Sequence, residues 1–118
     1  MTQTPEFLST TETNLPDYRI MERFGVVRGI AVRSRSAVGL FGAKVQQFFG
    51  GEISILSELC EQTRSDAFSL AVHHAKALGA NALVAVRYDA TEIMSGVSEV
   101  LCYGTAMRVV RLKDSAAA

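Results

Sequence analysis

The sequence predicts an α+β fold of two layers, in which a small antiparallel sheet packs on one long helix and a second, short helix. Residues 54–78 repeat apolar side chains every three or four positions, as an amphipathic helix does. Several other segments are rich in β-branched and aromatic residues, which favour strands. The 118 residues, 48% of them hydrophobic, are enough for one domain with a core and exclude general disorder.

The N-terminal part of the chain is predicted to be extended. Residues 7–11 favour a short strand, and residues 14–17 favour a turn because Pro16 biases the residue before it away from helix. Residues 18–34 follow as a long extended segment. Its glycines, Gly25 and Gly29, indicate a bulge, a bend or the close approach of another backbone, and the segment could divide into two strands there.

The middle of the chain predicts two helices. Residues 37–49 favour a short helix that stops at the glycine pair 50–51. The long helix of residues 54–78 has Ser54 as its predicted N-cap and Gly79 just after its C-terminus. Its predicted apolar face comprises Leu56, Leu59, Cys60, Thr63, Ala67, Leu70, Ala71, His74 and Leu78.

Residues 82–89 and 98–112 predict two more strands, joined by a short link that contains Gly96. Both faces of these strands are largely apolar, although one helix covers only one face of a sheet. We therefore expect a homo-oligomer that buries sheet surface between its subunits. The alternative is that the short helix and the N-terminal arm cover the second face.

Composition excludes several classes of protein. Twelve basic residues balance twelve acidic ones, so no net charge attracts nucleic acid. No apolar run reaches the roughly 20 residues of a membrane span, and the N-terminus does not resemble a signal peptide. Two cysteines do not indicate a secreted disulfide scaffold. We expect a cytoplasmic protein with one domain over residues 7–112 and flexible termini at residues 1–6 and 113–118.

The side chains that could bind a metal are few and scattered. They are Cys60, Cys102, His73 and His74, and they form no paired-cysteine or paired-histidine motif. Free cysteines are usually buried, which favours a core role for both. His74 is expected on the buried face and His73 on the polar side, about 100° away, which argues against a shared ion unless subunits combine their ligands.

Arginine is concentrated in the long extended segment, and Arg87 lies on a neighbouring predicted strand. Ion pairs with Glu22, Glu52, Asp89 or Glu99, within or between subunits, are the favoured explanation. The alternative is an anion site on a ring axis. Its candidate residues are Arg28, Arg33, Arg35, Arg87 and Glu99, although Arg28 and Arg33 point to opposite faces. No nucleophile and base are spaced as in a known catalytic motif, so no catalytic residue is predicted.

A set of dispersed motifs resembles the YbjQ-like family of bacterial proteins over residues 7–110. The motifs are TT at 10–11, LPDYRI at 15–20, GVVRG at 25–29, VRSR at 32–35, GGEI at 50–53, Arg64, LGANA at 78–82, RYD at 87–89, and Glu99 with YGTA at 103–106. Asp17, Leu56 and Thr63 depart from the usual family pattern. They stand where Gly, Tyr and Ala, respectively, are common.

The resemblance implies a dodecin-like subunit that assembles into a ring-shaped pentamer. It implies no established activity, and the family label refers to heavy-metal binding. We therefore expect a non-enzymatic, ring-forming homo-oligomer that binds a heavy-metal ion or a small ligand where subunits meet, and neither nucleic acid nor a membrane. The alternatives are a dodecin-like protein that binds or stores a flavin-type molecule, and an enzyme with an active site at the subunit interface.

Overall fold

A computed structural model describes residues 6–34 and 52–113, which form a four-stranded mixed sheet packed against one helix. The strands run in the order β1-β3-β4-β2. The α+β class is confirmed, and the short helix predicted at residues 37–49 lies outside the described residues. The elements are β1 (Leu8–Ser9), β2 (Tyr18–Ser34), α1 (Glu52–Leu78), β3 (Ala82–Met94) and β4 (Val97–Arg111).

The sheet is mixed, which corrects the antiparallel sheet predicted above. β4 pairs antiparallel with both β2 and β3, but β1 pairs parallel with β3 through Leu8↔Ala82 and Ser9↔Leu83. Residue alternation reports which side of a strand is buried and carries no information on strand direction. A two-residue strand at the sheet edge is also too short to reveal its partner from sequence.

The two glycines of β2 have different roles. Gly25 has a φ of +94° at a register shift between Arg23 and the glycine, which makes it a bulge. Gly29 lies against the backbone of α1, where an added Cβ would stand 2.1 Å from the Ala67 carbonyl oxygen. Both predicted roles are thus present, while β2 remains one strand of 17 residues and does not divide.

A ridge of small side chains on α1 packs on the sheet. Its buried members recur every fourth residue: Leu59, Thr63, Ala67, Ala71 and Ala75. Ala67, Ala71 and Ala75 have no exposed surface, so the helix approaches the strands closely. The predicted apolar face of the helix was wrong for four residues, which are exposed: Cys60, Leu70, His74 and Leu78. The buried positions form a single line spaced four residues apart, so the contact with the sheet is narrower than the predicted apolar face.

The C-terminal end of α1 lies where the sequence predicted it, whereas the N-terminal end does not. The helix begins at Glu52, so Ser54 lies within the first turn and is not the N-cap that was predicted. Gly79 ends the helix as predicted, with a φ of +98°. The Gly79 N–H donates to the Lys76 carbonyl oxygen, and the Ala80 N–H donates to the Ala75 carbonyl oxygen, both at 3.0 Å. This pair of bonds is the Schellman pattern that satisfies the last carbonyls of a helix.

The link from α1 to β3 is tied to β4 by one side chain. The Asn81 amide donates to the Val109 carbonyl at 2.9 Å, and its oxygen accepts from the Val109 N–H at 2.8 Å. An asparagine amide suits such a link because it can satisfy a backbone donor and a backbone acceptor at once.

Both faces of the sheet carry apolar clusters. The larger lies under α1 and includes Val27, Ala31, Leu83, Val100 and Cys102. The smaller lies on the opposite face, where Leu8, Leu15, Tyr18 and Ile20 pack over Ala82, Val84, Met107 and Val109. The N-terminal arm therefore covers one end of the second face, which is part of the alternative considered from sequence.

Candidate functional site

The N-terminal arm covers one end of the sheet face opposite α1. No described residue covers the rest of that face. Val27, Gly29 and Ala31 lie under the helix, so the alternate residues of β2, from Val26 to Val32, point away from it. The strand register places three rows across this surface, which we call the open face. The rows are Arg28–Tyr103–Arg87, Ile30–Leu101–Asp89 and Val32–Glu99–Thr91, with Val26 beside the first.

The open face combines exposed apolar side chains with charges of both signs. Val26, Ile30 and Val32 are 71%, 44% and 48% exposed. Across residues 6–34 and 52–113, no ion pair engages Arg28, Asp89 or Glu99. Alternation along residues 18–34 would have placed the three apolar residues on one face. Tyr103, which stands between two arginines, could be found only from the strand register.

The structure divides the predicted anion site between the two faces of the sheet. Arg28, Arg87 and Glu99 lie on the open face, whereas Arg33 lies on the helix side and forms an ion pair with Asp66 of α1. Arg35 lies outside the described residues.

The ion pairs differ from those expected. Arg33 was expected to pair with one of four other acidic residues, and its partner Asp66 was missed. Glu22 pairs instead with Arg108, at 3.4 Å. The Arg87 guanidinium donates to the Thr11 carbonyl at 2.9 Å and to the Val86 carbonyl at 2.8 Å, which fastens the N-terminal arm to β3.

A cavity of about 430 Å³ lies between the N-terminal half of α1 and the sheet. Cys60 and Arg64 line it from the helix, and Glu92 and Val100 line it from the strands. Cys60 is exposed there, which corrects its predicted place in the core. It stands one residue from the buried ridge, and the narrow helix–sheet contact leaves that position outside the core.

The second cysteine, Cys102, is fully buried, as predicted. Burial raises the pKa of its thiol, and a hydrogen bond with Tyr88 lowers it by a smaller amount. Burial, followed by the neighbouring Cys102, also raises the pKa of the Tyr88 phenol. A thiol that keeps its proton is a poor metal ligand and a poor nucleophile, because both roles need the thiolate.

Both histidines of the chain are exposed on α1, so His74 does not lie on a buried face. The His74 Nδ1 atom is 2.6 Å from the Arg28 carbonyl oxygen. The His73 and His74 ring centroids are 6.0 Å apart, with the planes tilted by 55°. The two rings are therefore neighbours, although successive helix positions diverge.

The part of the chain that the structure describes does not provide a complete metal site. No three of its histidine, cysteine, aspartate or glutamate side chains group closely enough to hold an ion. A protein-bound zinc ion usually takes three or four protein ligands. A single chain therefore contributes at most a pair of ligands from these residues. Within the same ranges, no helix is both long and apolar enough to cross a membrane.

Comparison with known proteins gives consistent matches. A YbjQ family model described as "Putative heavy-metal-binding" matches residues 7–110. A UPF0145 protein of Solibacter usitatus is 60% identical over 106 residues, which cover 90% of this chain and 95% of that protein. A UPF0145 protein of Burkholderia thailandensis is 58% identical over 104 residues, covering 88% and 94%. Because both the family model and these relatives span most of its length, the chain belongs to the YbjQ family, which includes the UPF0145 proteins.

Proposed function

We propose that this protein is a non-enzymatic, cytoplasmic subunit of a ring-shaped homopentamer and that the open face forms its subunit interface. The observation that carries the proposal is the combination on that face of exposed Val26, Ile30 and Val32 with charges that form no ion pair among the described residues. Contiguous exposed apolar surface of this kind marks interaction sites.

A second copy of the chain suits this face in charge. Arg28 provides a positive group, and Asp89 and Glu99 provide negative groups. In a head-to-tail assembly the open face of one copy packs on a different surface of the next copy, and its charges of both signs can pair with opposite charges there. A contact that is repeated head to tail closes into a ring when the rotation between neighbours allows it. The subunit number, five, comes from the family resemblance.

The ligand of the assembly is proposed to be a heavy-metal ion or a small molecule held where subunits meet. This part rests on the description of the family and on the lack of three grouped metal ligands among the described residues of one chain. Neighbouring subunits would each contribute one or two groups. Arg28 and Arg87, which flank Tyr103, are the groups of the open face that suit an anionic small ligand.

Native mass spectrometry of the purified protein tests the assembly. We expect the mass of a pentamer for the wild type and of a monomer for Ile30→Lys, which places a charge in the interface. Leu112→Lys is the matched control, because Leu112 is 45% exposed and Ile30 is 44% exposed, and Leu112 lies beyond the C-terminal end of β4. A monomeric wild type at micromolar concentration, or a pentameric Ile30→Lys, would overturn the proposal.

The same measurement reports the ligand. A mass increment equal to a metal ion supports the metal proposal, and a flavin with its yellow colour would replace it with the dodecin-like alternative.

Charge reversal provides a second test of the interface. Arg28→Glu and Glu99→Arg should each weaken assembly, because each reverses a charge that faces the neighbouring subunit.

A further inference from the structure

We propose that His73 and His74 form a two-imidazole site for a divalent transition-metal ion on the exposed side of α1. The ions it suits are Zn²⁺, Cu²⁺ and Ni²⁺, which prefer imidazole nitrogen, and not Mg²⁺ or Ca²⁺, which prefer oxygen. Both ligands come from one chain, so the site does not depend on the proposed assembly. It is separate from any ligand held between subunits.

The environment of His74 defines which of its nitrogens is available. The Arg28 carbonyl oxygen, 2.6 Å from Nδ1, can only accept a hydrogen bond, so Nδ1 carries the proton and donates it. The lone pair is then on Nε2. Histidines that bind metals almost always donate their other ring N–H to a carbonyl or carboxylate in this way, which fixes the tautomer and the ring orientation. The β2 backbone thus prepares His74 as a ligand before any metal arrives.

The spacing of the two rings allows one ion to reach both. With metal–nitrogen bonds near 2.0 Å, two imidazoles on one ion have centroids about 5.2 Å apart at a tetrahedral angle and about 6.4 Å apart when they lie on opposite sides of the ion. The His73 and His74 centroids are 6.0 Å apart and their planes are tilted, not stacked. Both side chains are exposed, so an ion can approach from solvent and keep water in its remaining positions.

The described residues add no third ligand, which determines the character of the site. Two neutral imidazoles bind less tightly than the three or four ligands of catalytic and structural zinc sites. We therefore expect reversible binding of one ion per chain.

Calorimetric titration of the full-length, untagged chain with Zn²⁺ tests the site. The background is Cys60→Ser, because Cys60 is exposed and its thiol could itself bind the ion. We expect one ion per chain, and each of His73→Ala and His74→Ala should weaken binding by at least about tenfold. Ser69→Ala is the matched control, because Ser69 is an exposed residue of the same helix that should leave binding unchanged.

Nuclear magnetic resonance of the imidazole nitrogens identifies the ligating atoms, and the chain contains only these two histidines. We expect both rings to shift together on adding Zn²⁺, with the His74 Nδ1 still protonated. The proposal is overturned if Zn²⁺ does not bind, if the double variant binds as the parent does, or if only one ring responds. An unchanged circular dichroism spectrum and native mass for the variants would show that loss of binding is independent of folding and assembly.

Discussion

Burial determines the chemistry of Cys102 more than its residue type does. The thiol has no exposed surface, and its pKa is raised chiefly by burial. The exposed Cys60 is in the opposite situation, beside a cavity at the helix–sheet junction. The sequence shows two cysteines on apolar patterns and does not separate them. They differ because Cys102 lies on the sheet face under α1, whereas Cys60 lies beside the buried ridge of the helix and not in it.

The raised pKa of Cys102 predicts a loss of stability at alkaline pH. The unfolded chain releases the thiol proton above about pH 8.5, whereas the folded chain keeps it, so the unfolded state binds fewer protons in that window. This contribution to the free energy of unfolding is fully present below pH 8.5 and is lost as pH rises through the higher folded pKa. Urea unfolding of the reduced protein between about pH 8 and 9.5 measures the slope.

Two variants assign that slope to one residue. Cys102→Ala should lower stability overall but show a smaller decline with pH than the wild type. Cys60→Ala, which removes the exposed thiol, should retain the wild-type slope. Equal slopes for all three proteins would contradict the argument.

The junction between α1 and β2 shows what a sequence pattern can and cannot predict about elements. The 17 residues of β2 and the C-terminal end of α1 at Gly79 agree with prediction because strand composition and capping are local properties. The buried ridge of α1 was predicted only in part. Its width depends on how closely the helix approaches the sheet, which the helix sequence alone does not define.

The strand direction of β1 and the partner of Arg33 were also not predictable. Both depend on contacts between segments distant in the chain, since Arg33 and Asp66 are 33 residues apart. The same distinction between local and long-range features applies to the candidate site. The open face could be inferred from alternation within each strand, but the rows that bring Arg28, Tyr103 and Arg87 together required the register.

Because α1 and β2 lie close together at Gly29, we expect alanine to lower the free energy of unfolding more at Gly29 than at Gly25. At Gly29 the new Cβ would stand 2.1 Å from the Ala67 oxygen and 2.5 Å from the Ala71 nitrogen, so helix and strand must separate. We expect a loss of about 3 kcal/mol or more. At Gly25 no atom lies within 4 Å, and only the positive φ opposes alanine, at a cost of about 1–2 kcal/mol. Urea unfolding measures both, and equal losses would show that the close approach does not limit stability.

At the scale of the whole molecule, the described residues cover only one end of the second sheet face, and this predicts that stability depends on concentration. A subunit that buries its open face against copies gains stability by mass action, so the apparent melting temperature should rise between about 1 and 100 µM protein. Ile30→Lys should abolish that rise, and Leu112→Lys should retain it. A melting temperature that is independent of concentration for the wild type would contradict burial of the open face between subunits.

The contact between His74 and the Arg28 carbonyl has a consequence for aggregation. Among the described strands, β2 forms one edge of the sheet, and an edge strand presents backbone groups that can recruit a strand from another molecule. The imidazole occupies one of these acceptors, and the bulge at Gly25 interrupts the regular ladder three residues earlier. An unrelated strand therefore meets a discontinuous template along this edge. Such protection is valuable in a chain with zero net charge, in which electrostatic repulsion does little to keep molecules apart.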